Sequence, residues 1–182
     1  MALTKVNAEG INVADDFAFT GTITGATPIT HVDQWRLTTN FSGTAEPIAS
    51  NLERVDTGAQ GTIGSAMTVS SGIFTFPVTG IWLVTARVGL SRAGDSRYQT
   101  LYIQATVNNS DYTTIAQNNS NINQSESGRT YISNHNSSTM DVSNVTNVKV
   151  RFSVTPSQSD VLTHGDSTNN DTSFTFIRLG DT

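Results

Sequence analysis

Hydrophobic and polar residues alternate most clearly between Gly72 and Val88. Phe74 and Phe76 share one face of a first run; Trp82, Val84, Ala86 and Val88 share one face of a second, with Thr85 and Arg87 opposite. A period of two is the signal of a half-buried β-strand. Between the runs, Pro77 fixes φ at the start of a turn, and Gly80 can take the positive φ that ends it. The stretch predicts strand, tight turn, strand. The rest of the chain is expected to pack around this hairpin, with Phe74, Phe76, Pro77, Gly80 and Trp82 as its structural core.

The same alternation recurs along the chain. Trp35, Leu37 and Phe41 mark a first core strand, and Gly43, Pro47, Gly58, Gly61 and Gly64 punctuate a loop-rich stretch after it. Leu101, Ile103, Ala105 and Val107 share a face before a turn at Asn108–Asp111. Tyr112–Ala116 predicts a short return strand, and residues 117–128 a polar loop. Tyr131–Ser133 and Met140–Val142 flank a second polar loop. Val148, Val150, Phe152 and Val154 alternate with Lys149, Arg151 and Ser153, and a polar loop over 156–171 leads to the closing strand Ser173–Leu179. About eight to ten strands with turn signals every ~8–15 residues predict an all-β antiparallel sandwich. In the closing strand the apolar phase shifts, from Phe174 and Phe176 to Ile177 and Leu179. Two apolar faces on one strand suit burial on both sides. In an oligomer the second face can lie on a subunit interface, so Phe174, Phe176, Ile177 and Leu179 are the expected contacts there.

Residues 1–28 break the pattern. Phe17, Phe19 and Ile23 mark one short extended segment, closed by Gly21, Gly25 and Pro28. This reads as an extended N-terminal arm that docks on a partner or a sister subunit by strand addition. The division expected is an anchoring arm over 1–28 and a β-sandwich domain over 29–182.

Composition narrows the function. The 182 residues carry only 14% charged side chains, no cysteine, and a net charge of −5. Ten scattered Lys and Arg offer no basic run to displace counterions from phosphates, so neither nucleic acid nor a membrane surface is expected as partner. No apolar stretch approaches the ~20 residues of a transmembrane helix. Met1–Asn7 lacks the apolar core of a signal peptide, which predicts synthesis in a cytoplasm without export by that route.

The run Gly72-Ile73-Phe74-Thr75-Phe76-Pro77-Val78-Thr79-Gly80-Ile81-Trp82-Leu83-Val84 resembles the signature of the C1q/TNF-like jelly rolls, G-x-F-x-x-P-x-x-G-x-Y-x-F. Trp82 stands at the tyrosine position and Val84 at the final aromatic. The apolar closing strand is also similar. The resemblance implies a jelly-roll sandwich, assembly as a tight homotrimer with the last strand near the three-fold axis, and binding rather than catalysis. The opening Met1-Ala2-Leu3-Thr4-Lys5-Val6 looks like the start of structural proteins of tailed phages. Together these imply a virion surface protein made in the host cytoplasm. The expected role is a trimeric capsid decoration or cement protein, held by its arm on the major capsid protein or another virion protein. The alternative is the receptor-binding tip of a tail fibre that recognises host glycan.

Catalytic chemistry is not evident. His31, His135 and His164 have no metal-pair spacing, His135 and His164 falling in polar loops read as exposed, and no H-E-x-x-H, G-x-S-x-G or phosphate-binding glycine loop occurs. No catalytic or metal residues and no cofactor are expected, and the chain is read as a non-enzyme. Asp160, Asp166 and Asp171 sit close in sequence and could offer oxygens to Ca²⁺, although solvated turn carboxylates are the simpler reading. Tyr112, Tyr131 and Arg129, in polar surroundings, could bind glycan.

Overall fold

A computed structural model describes residues 29–182. The arm residues Phe17, Phe19 and Ile23 lie outside the described residues. Among the described residues twelve strands run in order: β1 Val32–Leu37, β2 Phe41–Ser42, β3 Leu52–Arg54, β4 Thr68–Ser70, β5 Ile73–Thr75 and β6 Gly80–Arg92; then β7 Ser96–Thr106, β8 Thr113–Ile122, β9 Thr130–Val142, β10 Lys149–Pro156, β11 Leu162–Thr163 and β12 Ser173–Gly180. All pairings are antiparallel, and they form two facing sheets. In the seven-stranded sheet, β6 is flanked on one side by β9 and on the other by β12 and β11, with β1 and β3 beyond β12. The five-stranded sheet runs β4-β5-β10-β7-β8. The fold is an antiparallel β-sandwich, as the alternation predicts, in the jelly-roll form that the resemblance implies.

The core is the space between the two inner faces. The second apolar run sends Trp82, Val84, Ala86, Val88 and Leu90 inward from β6, all buried. Phe74 and Phe76 face them from the β5 end of the opposite sheet, also buried. The expected hairpin is corrected here: β5 and β6 do not pair. β5 bonds to β4 and β10, and Pro77–Thr79 carries the chain across to the other sheet. Both runs alternate cleanly because both face one core. Alternation reports which face is buried, and says nothing of which strand lies alongside.

Two residues of that crossing have local reasons. Gly80 holds φ at 141°, and a Cβ there would stand 2.5 Å from both Arg178 Nε and the Gly180 carbonyl oxygen. Arg178 Nε donates to the Thr79 carbonyl at 2.8 Å and so pins the crossing to β12. Pro77 is only half-buried, so its contribution is to the turn and not to the packed interior.

Phe74 is the hub of the aromatic core. Trp35, Phe152, Phe174 and Phe176 all lie with ring centroids 5.1 to 5.9 Å from it. Phe152 and Phe174 stack across the sandwich at 4.1 Å. Phe174 and Phe176 are therefore wholly enclosed within one protomer. Their expected place at a subunit interface is corrected: the first apolar face of β12 closes the chain's own core. Ile177 and Leu179 point to the other side, where Leu179 is 49% exposed.

The long strand β9 crosses a segment that reads as polar loop. Its inward positions include Asn134 and Asn136, both buried. Asn136 Nδ2 donates to the Leu101 carbonyl and Asn134 Nδ2 to the Gln99 carbonyl, each at 2.7 Å. Two side-chain amides thus bond the edge of one sheet to β7 of the other, where the sandwich would otherwise gape. Asn136→Ala should lower the unfolding free energy by about 1–2 kcal/mol, since a buried acceptor loses its donor. Urea titration at fixed protein concentration checks this; a change within ~0.5 kcal/mol would show the bond to be incidental.

Candidate functional site

The outer face of the seven-stranded sheet carries the surface of interest. Strand register sets its layout. Val32 pairs with Ile63 on one side and Ile177 on the other, and Ile177 pairs with Leu83. One row of four aliphatic side chains thus crosses the sheet. Ile81 and Leu179 adjoin it, and Ile63 and Leu179 are each 49% exposed. Singly scattered apolar residues on a surface need no explanation, but a contiguous row does.

Two residues further along the strands the face turns polar. Gln34, Thr175, Thr85 and Ser137 form the next row, with Gln34 Nε2 donating to Thr175 Oγ1 at 2.7 Å. Arg36, Ser173, Arg87 and His135 form the row after that. Arg36 is fully buried under the loop beyond β3, where Nε donates to Glu53 Oε1 at 2.6 Å and Nη1 to Thr57 Oγ1 at 2.9 Å.

At the polar end lies a depression of about 300 Å³. Its floor is Gly89, the β6 position between Arg87 and Ser91 that has no side chain. Tyr131 and His164 form one wall, their rings stacked at 5.4 Å with 29° between planes. Tyr131 is 67% exposed. His164 Nε2 and Ser91 Oγ are 2.7 Å apart, and Arg129 Nε donates to the same hydroxyl at 3.1 Å. Burial of the imidazole lowers the His164 pKa; nearby Asp171 raises it and Arg129 lowers it further, and burial wins. The neutral ring is therefore the form present at pH 7. Opposite, Arg87 Nη1 donates to the carbonyls of Asn170 at 2.7 Å and Asp171 at 3.3 Å.

The other residues singled out in the sequence go elsewhere. Tyr112 is half-buried and lies away from the depression, with Arg151 over its ring at 4.2 Å; burial raises its pKa. His135 stands exposed on β9, in a strand and not a loop. His31 packs its ring against Trp82 at 5.7 Å, and burial, with Arg178 nearby, lowers its pKa. The three aspartates do not converge. Asp160 is hydrogen-bonded to Arg92 Nε at 2.6 Å, Asp166 is engaged by its own loop, and Asp171 lines the depression. Asp166 Oδ1 accepts from Thr168 N, Thr168 Oγ1 and Asn169 N, which lowers its pKa to about 2. Among the described residues, no group of three or more His, Cys, Asp or Glu could hold a metal ion. Arg87, His164 and the Gly89 floor escaped the sequence reading. They come from three separate segments, and no local spacing joins them.

The chain matches no family model and no curated protein sequence. It is similar in fold to solved structures. Murine APRIL at pH 8.5 aligns over 82% of this chain and 98% of its own, with a TM-score of 0.58 and 11% identity. Eiger TNF from S. frugiperda aligns over 85% and 96%, with a TM-score of 0.61 and 13% identity. The sandwich is therefore a TNF-like jelly roll. At these identities the likeness is one of fold.

Proposed function

We propose that this chain is a non-enzymatic, homotrimeric structural protein of a virion surface, which decorates a phage capsid and is anchored by residues 1–28. The observation that carries the assembly is the aliphatic row Ile63, Val32, Ile177 and Leu83 on the outer face of the seven-stranded sheet. A second copy covering that row removes apolar area from water at roughly 25 cal/mol per Å². Ile177 and Leu179, but not Phe174 and Phe176, belong to the proposed interface. The resemblance of the opening residues to phage structural proteins and the absence of a recognisable catalytic motif support the virion setting. Three arms per trimer would bind in succession, the second and third at high effective concentration.

Sedimentation equilibrium of the pure chain, then co-sedimentation with capsids that lack it, tests this. The expected result is a trimer that binds capsids saturably and stays folded but unbound once residues 1–25 are removed. A monomer at micromolar concentration sinks the assembly, and capsid binding that survives the truncation sinks the anchor. A second reading places the same trimer at the tip of a tail fibre, where it contacts host glycan. The depression beside Tyr131 favours it.

A further inference from the structure

We propose that the depression floored by Gly89 and walled by Tyr131 and His164 is a binding site for one pyranose ring of a surface glycan. The inference rests on the fibre-tip reading and names the site that reading requires.

The shape comes first. β6 presents Arg87, Gly89 and Ser91 in succession on its outer face, and the residue paired with Gly89 across β9 is the small Ser133. The depression opens where the His164 and Asp171 segments come down on Gly89, whose Cβ would stand 3.2 Å from the Asp171 carbonyl oxygen and 3.6 Å from His164 Cβ. At about 300 Å³ it sits at the lower end of small-molecule sites, which suits one sugar residue and not a long chain.

The chemistry follows. Tyr131 is two-thirds exposed, yet its ring is backed by His164, itself tied to Ser91. An aromatic ring braced in this way is already positioned for a ligand. Its negatively charged face attracts the polarised C–H bonds along one side of a pyranose. Across the floor, Arg87 is fixed by the carbonyls of Asn170 and Asp171 through Nη1, and its other N–H donors have no protein acceptor among the described residues. Asp171 also lines the depression, its carboxylate close enough to His164 to act on that ring's charge. A hydroxyl both donates and accepts, so the several hydroxyls of one sugar can satisfy the Arg87 donors and the Asp171 acceptor within one depression. A phosphate or sulfate would meet the Asp171 carboxylate, and a purely apolar ligand would strand the Arg87 donors.

Placement supports recognition. Gly89 is six positions along β6 from Leu83, so the depression lies roughly 20 Å from the aliphatic row. A trimer joined at that row would carry three copies of the site at one end, and weak single contacts would add as avidity.

The test is saturation-transfer NMR of the full chain with a panel of methyl pyranosides, paired with adherence of the same protein to host cells. Wild type and Tyr131→Phe should bind at least one pyranoside, and Tyr131→Ala should bind it about tenfold more weakly. Arg87→Gln should weaken it as well. Exposure of Tyr131 makes its variants safe for folding, and unchanged thermal unfolding confirms that. Binding of a pyranoside that survives both Tyr131→Ala and Arg87→Gln overturns the site while the glycan reading stands. Adherence to cells without binding of any pyranoside overturns the sugar assignment alone. Failure of both removes the fibre-tip reading with it.

Discussion

Phe74→Ala is expected to lower the unfolding free energy by about 3–5 kcal/mol, the range for truncating a buried aromatic residue. The reason lies in its position. Among the described residues, Phe74 is the one ring that meets aromatic partners from β1, β10 and β12 together: Trp35, Phe152, Phe174 and Phe176. Its loss removes the transferred apolar area and leaves a void that four rigid rings cannot readily fill. Paired rings also lose about 0.5–1.5 kcal/mol per contact beyond area, although such contacts are not additive. Urea unfolding followed by tryptophan fluorescence measures the loss, at one protein concentration because the proposed assembly would contribute to apparent stability. Tyr131→Ala, on the open surface, is the internal control and should stay within ~0.5 kcal/mol. A Phe74→Ala loss below ~1 kcal/mol would mean that the two sheets are not packed through this residue.

The strands that were legible in the sequence are those with an apolar inner face. β6, β7, β10 and β12 show regular alternation, and the inward apolar residues it picks out are buried, except Val107, which lies past the end of β7 and is 75% exposed. Gln99, Lys149 and Ser153 are buried without being picked out. Two long strands were not legible, and the short β11 falls inside the stretch 156–171 that reads as a polar loop. β8 continues through Gln117–Ile122, and β9 through Asn134–Thr139, across segments that read as polar loops. In β9 the inward residues are amides, whose burial is tolerated because Gln99 and Leu101 carbonyls accept from them. The partner that makes an inward asparagine acceptable is some 35 residues away, and no window along the chain contains it. β8 is an edge strand with one face largely in solvent, so its sequence has little apolar pattern to show. The same argument covers the candidate site. Tyr131 was visible as an aromatic in a polar setting, whereas its companions Arg87, Gly89 and His164 meet it only through sheet register and the return of the loop after β11.

The aliphatic row has a related lesson. Ile177 and Leu179 were legible as a second apolar face, but Leu83 and Val32 join them only because β12 lies between β6 and β1. A strand's sequence shows that it has two apolar faces. Which of the two is enclosed by the protomer depends on where the opposite sheet sits. Here that sheet covers Phe174 and Phe176, and leaves Ile177 outward.

Asp33→Asn should cost about 3 kcal/mol even though it preserves volume and shape. Asp33 is 2% exposed at the inner face of β1. Its Oδ2 accepts from Met67 N at 2.8 Å and from Trp35 Nε1 at 3.1 Å. Its Oδ1 accepts from Gln34 N at 2.9 Å and Arg54 Nε at 3.1 Å. Arg54 in turn donates to the Met67 carbonyl at 2.7 Å and lies over the Trp35 ring at 4.9 Å. One carboxylate thus joins β1, β3 and the approach to β4. An amide in its place offers one accepting oxygen and turns an NH₂ toward donors. Each buried donor left without an acceptor costs about 1–3 kcal/mol. The Arg54 share is discounted, because its side chain is 38% exposed and water can replace part of the lost contact. Cavity formation predicts almost no change for this substitution, so the two physical accounts separate cleanly. Amide hydrogen exchange adds a local readout: the Met67 N–H should lose protection in Asp33→Asn beyond what the global loss explains. A variant that unfolds at the wild-type urea midpoint, with Met67 still protected, would show that packing alone holds β1 against β3.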